Sequence, residues 1–149
     1  MADKIDFEFM QKAVDCSKNA PAKATCFRVG AVLVDSKRNL IASGYTLEFG
    51  EGWHAEEVAI KKAIDAGVDI KGTTIYSSLE PCSVRKSRKS DCSSLLILKG
   101  IAQVFYALAE PPVFVVCEGE NKLKKAGIKT ERIKEFDEEV KEINKHLKF

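Results

Sequence analysis

The chain has 149 residues and a formal net charge of +2, from 24 basic and 22 acidic side chains. This length suits one compact domain, and the balance of charge argues against a strongly basic nucleic-acid-binding protein. The opening residues lack the apolar core of a secretory signal, and no apolar run is long enough to span a bilayer. Five cysteines, an odd number, indicate a reducing, cytoplasmic setting with free or metal-bound thiols.

Helices and strands alternate along most of the chain. Apolar residues at a helical period predict helices, and short apolar runs predict strands; Pro21 ends the first helix, and Gly67 and Gly100 follow two later ones. In chain order the predicted elements are a helix at 5–19, strands at 29–34 and 40–45, a helix at 54–66, a strand at 73–78, a helix at 92–99, a strand at 103–108, a helix at 123–126, a strand at 129–136 and a helix at 137–147. This order predicts an α/β fold, with helices on both faces of a mixed sheet, in a single domain over 1–149.

A short His-x-Glu run begins the second predicted helix, and two cysteines follow it at a distance. The run contains His54 and Glu56; Cys82 follows Pro81 at the end of a strand, and Cys92 begins a helix. One imidazole and two thiolates can hold zinc and leave the fourth tetrahedral position open for water, as in catalytic sites. A helix N-terminus also lowers the pKa of a cysteine and favours the thiolate that binds metal. We therefore predict that His54, Cys82 and Cys92 bind a catalytic zinc ion.

Glu56 is the predicted proton carrier of this site. It would take a proton from a zinc-activated water molecule and deliver protons to a ring nitrogen and to the leaving amine. The order His-x-Glu, Pro-Cys and Cys is the pattern of the zinc-dependent base deaminases. The alternative is a structural zinc, which needs a fourth ligand. None of the remaining cysteines and histidines lies beside a partner at ligand spacing; they are Cys16, Cys26, Cys117 and His146.

With these motifs in place, the chain resembles the cytidine-deaminase-like superfamily over nearly its whole length. The resemblance is carried by the runs at 29–34, 54–56 and 79–82, which follow that family's order. It implies a three-layer α/β/α sandwich around a five-stranded mixed sheet. It also implies a zinc-dependent hydrolase that deaminates cyclic amidines, and a homodimer or homotetramer.

The spacing of the cysteines resembles one branch of that superfamily. Nine residues separate Cys82 from Cys92, whereas cytidine and tRNA-adenosine deaminases usually have Pro-Cys-x-x-Cys. A widened spacing that begins Pro-Cys-Ser is typical of the riboflavin-pathway deaminases, which act on a diaminopyrimidinone bearing a phosphorylated ribosyl or ribityl amine. The runs at 25–27 and 110–113 differ from the motifs that the bacterial enzymes of this branch usually have there. They are more similar to the fungal type. No residues remain for a reductase domain, so a separate reductase is an expected partner.

Two alternatives to this function stay open. Another zinc deaminase would act on cytidine, dCMP, guanine or a base in tRNA; an RNA substrate needs a broad basic surface that bears aromatic residues, and a near-neutral chain with one tryptophan does not predict it. A non-catalytic zinc module for interaction is the alternative from a different class. Loss of turnover on replacing Glu56 would separate the catalytic readings from this one.

The segment between the two cysteines is the predicted substrate-binding region. Ser83, Arg85, Lys86 and Arg88 offer a hydroxyl and basic groups that suit a 5′-phosphate, so we predict that they bind one. The alternative is a solvated loop whose charges keep the chain soluble. Trp53 precedes the zinc histidine and could stack on the substrate ring, although packing beneath the helix is the alternative.

Overall fold

The computed structural model describes residues 2–83, 91–114 and 116–148 of the chain. Helices and strands alternate after an opening β-hairpin, as the sequence predicts. In chain order the elements are α1 (Lys4–Ser17), β1 (Gly30–Val34), β2 (Leu40–Tyr45), α2 (Ala55–Asp65), β3 (Thr74–Leu79), α3 (Cys92–Leu98), β4 (Gln103–Leu108), α4 (Gly119–Lys125), β5 (Lys129–Arg132) and α5 (Asp137–Ile143), with 3-10 turns at Lys134–Phe136 and Lys145–Leu147. None of the helices in the part of the chain that the structure describes has the length and apolar character to span a bilayer.

The strands form one mixed five-stranded sheet in the order β2-β1-β3-β4-β5. β1 is antiparallel to both β2 and β3, whereas β3, β4 and β5 are mutually parallel. The register pairs Leu79 at the end of β3 with Leu108 at the end of β4. The segments that follow these two strands therefore leave the sheet side by side, at the edge where ligands bind in open α/β sheets.

Apolar side chains cover both faces of the sheet and create two cores. α1 and α5 pack on one face, where Met10, Val140 and Val32 belong to the first core. α2, α3 and α4 cover the other face, where Leu33 and Leu96 belong to the second core. Because successive strand residues point to opposite faces, the continuous apolar run of β1 is buried on both sides. The three-layer α/β/α fold is confirmed.

Two glycines in the hairpin allow helices to approach the sheet closely. A Cβ at Gly30 would lie 2.0 Å from the carbonyl oxygen of Ala13 in α1. On β2, a Cβ at Gly44 would lie 2.7 Å from the carbonyl oxygen of Ala55, at the first turn of α2. The position of α2 on the sheet therefore depends on a glycine, and α2 carries Glu56 in its first turn.

Three predicted boundaries in the last third of the chain are wrong. The strand predicted at 129–136 ends at Arg132, because Ile133 and Phe136 are both buried at the three-residue spacing of a 3-10 turn rather than at the two-residue spacing of a strand. The helix predicted at 123–126 begins at Gly119. The helix predicted at 137–147 ends at Ile143, because the buried side chain of Asn144 bonds with the backbone N–H of Arg28 at 2.6 Å. The other predicted elements agree within two residues.

Candidate active site

Three elements converge at the carboxyl edge of the sheet and bring together His54, Cys82 and Cys92. His54 is the N-cap of α2, Cys82 lies just beyond the end of β3, and Cys92 is the first residue of α3. The imidazole and thiol ligand atoms all lie within 4.8 Å of one another. The Nδ1 atom of His54 is 3.2 Å from the Sγ of Cys92 and 3.6 Å from the Sγ of Cys82.

These distances fit a tetrahedral zinc ion. Zinc bonds of about 2.0 to 2.3 Å place neighbouring tetrahedral ligands roughly 3.6 Å apart, and one imidazole with two thiolates is a donor set of catalytic zinc centres. Among the described residues, this is the one group of three or more His, Cys, Asp or Glu side chains with metal-binding geometry. The cysteines and histidine that the sequence left as candidates for a fourth ligand are not part of it: Cys16, Cys26, Cys117 and His146.

Hydrogen bonds at two helix starts hold two of the candidate ligand residues. The carboxylate of Glu57 accepts the backbone N–H of His54 at 2.9 Å, which fixes the backbone where α2 begins. Asp91 is the N-cap of α3 and accepts the backbone N–H of Ser94 at 3.2 Å. The candidate imidazole ligand and one candidate thiol ligand are therefore placed by local helix-capping interactions.

The Cys82 thiol lies among donors that favour its charged form. The hydrogen bond from the Cys92 side chain is the main cause that lowers the pKa of Cys82 to about 5, and burial opposes it. Contacts with the His54 imidazole and with the backbone N–H of Cys92 add to the lowering. The lowered pKa favours the thiolate, which is the form of cysteine that binds a metal.

Glu56 lies in the first turn of α2, two residues after His54, and only 4% of its surface is exposed. Burial is the main cause that raises the pKa of Glu56 to about 7, and the charge of Cys82 adds to it. A carboxyl group in this range can both accept and release a proton near neutral pH. These properties suit the proton-carrying role that the sequence predicts, and that role stays a prediction.

Two further acidic side chains at this edge were missed by the sequence analysis. Burial raises the pKa of Glu110 to about 8, and the charges of Cys82, Glu80 and Glu56 add to the effect. Glu80 is buried directly before the Pro81-Cys82 segment. Their positions in the sequence could have predicted both, because each glutamate follows the carboxyl end of a strand. These two strands are neighbours in a parallel pair, so the residues after them lie at the same edge of the sheet.

The predicted substrate-binding residues have different outcomes. Arg85, Lys86 and Arg88 lie outside the described residues. The Oγ atom of Ser83, the residue after Cys82, accepts the backbone N–H of Glu118 at 2.8 Å. Trp53 is half-buried and packs edge-to-face on Phe49, with ring centroids 5.3 Å apart. This contact agrees with the packing alternative for Trp53, and the stacking role stays a prediction.

Comparison with known proteins identifies the family. Residues 3–108 match the model of the cytidine and deoxycytidylate deaminase zinc-binding region, which covers more than half of the chain. The chain belongs to this family of zinc-binding deaminases, and the resemblance drawn from the sequence motifs is confirmed.

Individual relatives show which members of the family the chain is similar to. The chain is 38% identical over 123 residues to the diaminohydroxyphosphoribosylamino-pyrimidine deaminase of Schizosaccharomyces pombe, which covers 81% of this chain and 30% of that protein. It is 33% identical over 141 residues to the riboflavin biosynthesis protein RibD of Haemophilus influenzae, covering 94% of this chain and 36% of the relative. The chain thus spans about a third of the length of these relatives.

Solved structures agree with the fold. A deaminase/reductase of Thermotoga maritima, named as a diaminohydroxyphosphoribosylaminopyrimidine deaminase and 5-amino-6-(5-phosphoribosylamino)uracil reductase, superposes with a TM-score of 0.80 at 33% identity, over 91% of this chain and 38% of that one. The Rib2 deaminase of Aspergillus oryzae, solved in complex with DARIPP, superposes with a TM-score of 0.81 at 23% identity, over 94% of this chain and 90% of that one. The latter likeness shows the fold alone.

Proposed function

We propose that this chain is a zinc-dependent hydrolytic deaminase that removes the exocyclic amine of a phosphorylated diaminopyrimidinone in riboflavin biosynthesis. The observation that carries the proposal is the convergence of His54, Cys82 and Cys92 within 4.8 Å, with the buried carboxyl of Glu56 two residues from the histidine. Membership of the zinc-binding deaminase family supports the reaction class. The names of the relatives from Schizosaccharomyces pombe and Thermotoga maritima support the substrate class.

His54, Cys82 and Cys92 would hold the zinc ion. Each is positioned by a different element: His54 by the start of α2, Cys82 by the end of β3 and Cys92 by the start of α3. Zinc bound by such a donor set supplies Lewis-acid activation of water for attack on a ring carbon. The thiolate character of Cys82 would offset part of the charge of a bound metal ion. The burial of Cys82 and Cys92 keeps bulk water away from the two sulfur ligands.

Glu56 would carry the protons of the reaction. Its carboxylate takes one proton from the attacking water as the new C–O bond forms, and passes it to the adjacent ring nitrogen. A second proton taken from the same oxygen goes to the exocyclic nitrogen, so that the C–N bond breaks and ammonia leaves. The product carries a ring carbonyl where the substrate carried the amine. A buried carboxyl is suited to this work because few water molecules compete for its proton.

The segment that follows Cys82 would bind the substrate's phosphate. Ser83 lies next to a proposed metal ligand, so a group that it contacts is near the reacting ring. We include Arg85, Lys86 and Arg88 in this role because basic side chains so close in sequence to Cys82 suit a phosphate. Trp53, adjacent to His54, is the residue we propose for contact with the pyrimidine ring through its exposed surface.

The cellular setting and assembly belong to the same proposal. We place the chain as one domain over 1–149 in the cytoplasm, as a homodimer or homotetramer that works with the reductase of the pathway. The cysteine content supports a reducing compartment. The Thermotoga maritima relative, named as both deaminase and reductase, supports a functional link to a reductase.

The test is ammonia release from zinc-loaded protein with a panel of substrates. The panel contains the phosphorylated ribosylamino and ribitylamino diaminopyrimidinones, their dephosphorylated forms, cytidine, dCMP and guanine. We expect turnover of the phosphorylated diaminopyrimidinones, and the faster of the two decides whether deamination precedes or follows reduction of the sugar. Turnover of cytidine, dCMP or guanine alone would reject the pathway and keep the chemistry. Absence of turnover on every member would reject the proposal in favour of a tRNA substrate or a non-catalytic zinc module.

A further inference from the structure

Glu80 links three segments of the chain beside the proposed zinc site. It lies between the end of β3 and the Pro81-Cys82 segment, and 8% of its surface is exposed. Its Oε1 atom accepts the backbone N–H of Glu110 at 3.2 Å, and its Oε2 atom accepts the backbone N–H of Glu120 at 2.9 Å. The two oxygens of one carboxylate thus bind the segment after β4 and the first turn of α4.

The backbone of Glu80 is held as well as its side chain. Its N–H donates to the carbonyl oxygen of Leu108 at 2.9 Å, which extends the parallel β3–β4 pairing by one residue. Cys82 follows only two residues later, outside any helix or strand. Because Cys82 has no regular secondary structure of its own, its position depends on the contacts of the residues around it.

The start of α4 packs directly on the same segment. A Cβ at Gly119 would lie 1.9 Å from the carbonyl oxygen of Pro81, so the two backbones are in close contact. That carbonyl oxygen accepts hydrogen bonds from the Oγ of Ser93 at 3.1 Å and the Sγ of Cys117 at 3.5 Å. The carboxylate of Glu80 therefore fastens α4 where it supports the Pro81-Cys82 segment.

We propose that Glu80 is a positioning residue for the Cys82 ligand: its carboxylate, through the N–H groups of Glu110 and Glu120, holds the Cys82 sulfur at the separation from His54 and Cys92 that zinc requires. This inference rests on the proposed function, in that these three residues bind the metal. Glu80 acts through the backbone that carries Cys82, by two hydrogen bonds that a buried carboxylate makes stronger than neutral acceptors do. Outer partners of metal ligands commonly change metal affinity by about 10- to 100-fold.

The number of acceptor oxygens at position 80 predicts a graded effect of substitutions there on the position of Cys82. A glutamine at position 80 keeps one acceptor oxygen of the same reach, but its amide nitrogen cannot accept the second N–H. An alanine accepts neither N–H and leaves two partly buried donors without their partner. We therefore expect the Cys82 sulfur to be held best with glutamate, less well with glutamine, and least well with alanine.

The experiment compares the full chain with its Glu80→Gln and Glu80→Ala variants, with Glu138→Gln and Glu138→Ala as matched controls. Glu138 has a side chain that is 92% exposed on α5, away from the site. Zinc affinity is measured by competition with a chromogenic chelator, and the ligand geometry by the d–d and sulfur-to-cobalt bands of the Co²⁺-substituted protein. Circular dichroism confirms that each variant is folded.

We expect zinc affinity to fall by about tenfold or more in Glu80→Ala and by less in Glu80→Gln, with the cobalt bands shifted in the same order and both controls unchanged. A purely structural role would lower the unfolding temperature and leave the bands of the folded protein in place. If Glu80→Ala does not fold, Glu80→Gln decides: wild-type affinity and bands in that variant overturn the inference. Failure of the wild-type protein to bind zinc or release ammonia would instead reject the proposed function.

Discussion

The backbone N–H of Cys92 donates a hydrogen bond of 3.2 Å to the Sγ of Cys82, across nine intervening residues. The start of α3 thus carries the proposed ligand Cys92, and its main chain also contacts the sulfur of the proposed ligand Cys82. The same sulfur lies 3.6 Å from the Nδ1 of His54 at the start of α2. Two helix starts and one strand end therefore define the candidate site.

Removal of either thiol should release the metal. We expect Cys82→Ser and Cys92→Ser to reduce bound zinc from about one ion per chain to nearly none, because two protein ligands do not retain a catalytic zinc. Metal content is measured by atomic emission after dialysis. Cys26→Ser is the matched control, since Cys26 is half-buried and outside the ligand cluster. Zinc retained at the wild-type level in Cys82→Ser would contradict the proposed ligand set.

Glu56 should be required for turnover and dispensable for zinc. We expect Glu56→Gln to lower kcat by about 10²- to 10⁴-fold, the usual contribution of a general acid–base group, because the amide cannot carry the proton. Zinc content should stay at the wild-type level. The readouts are steady-state ammonia release and metal analysis on the same preparations, with Glu138→Gln as the control. A Glu56→Gln enzyme with undiminished kcat would exclude this residue as the proton carrier.

If the segment after Cys82 binds the substrate phosphate, its removal should change KM for the phosphorylated substrate and leave KM for the dephosphorylated substrate unchanged. Arg85→Ala should raise KM for the phosphorylated diaminopyrimidinone by about tenfold, as expected for one lost hydrogen bond to a charged group, and leave KM for the dephosphorylated form unchanged. Lys37→Ala, in the exposed turn of the β1–β2 hairpin, is the control for loss of one positive charge. Equal changes for the two substrates would argue that Arg85 does not contact the phosphate.

Gly44 should be needed for the position of α2. A Cβ at this residue would lie 2.7 Å from both the carbonyl oxygen of Ala55 and the Cβ of Val58, so Gly44→Ala must push α2 outward. Overpacking of this kind costs about 1 to 3 kcal/mol, which urea unfolding measures. Zinc affinity should fall as well, because α2 positions His54. Leu40→Ala, at a half-exposed residue of the same strand, is expected to perturb zinc binding less. Unchanged stability in Gly44→Ala would show that α2 tolerates displacement.

Asp35 in the hairpin turn should make stability depend on acidic pH. Hydrogen bonds from the backbone N–H groups of Asn39 and Lys37 lower the pKa of Asp35 below its ordinary value of 3.8. The folded state therefore favours the ionised form, and this stabilisation is complete above the ordinary pKa and is lost as pH falls through the lowered value. Urea unfolding across this acidic range should show a smaller pH dependence in Asp35→Asn, which keeps an acceptor oxygen but does not ionise. An identical pH dependence in both proteins would contradict the assignment.

Local sequence patterns determined most of the elements and the residue types of the candidate site. The continuous apolar run of β1 predicted a strand buried on both faces, and the structure buries all five of its residues. The bounds of β2 and β4 agree with the prediction. His54 and Cys92 were recognisable as candidate ligands because each lies at a helix start, which short-range sequence patterns mark.

The tertiary structure alone decided which side chains surround the proposed ligands His54, Cys82 and Cys92. Glu80 bonds with backbone groups 30 and 40 residues away, and Cys117 contacts the carbonyl oxygen of Pro81 across 36 residues. Periodicity reports only on neighbours within a few residues, so it could not predict these contacts. They exist because β3 and β4 are parallel and adjacent, which carries the segments after both strands to one edge of the sheet. The sequence by itself thus determined the chemistry of the ligands and the alternation of helices and strands, whereas strand pairing decided the surroundings in which that chemistry operates.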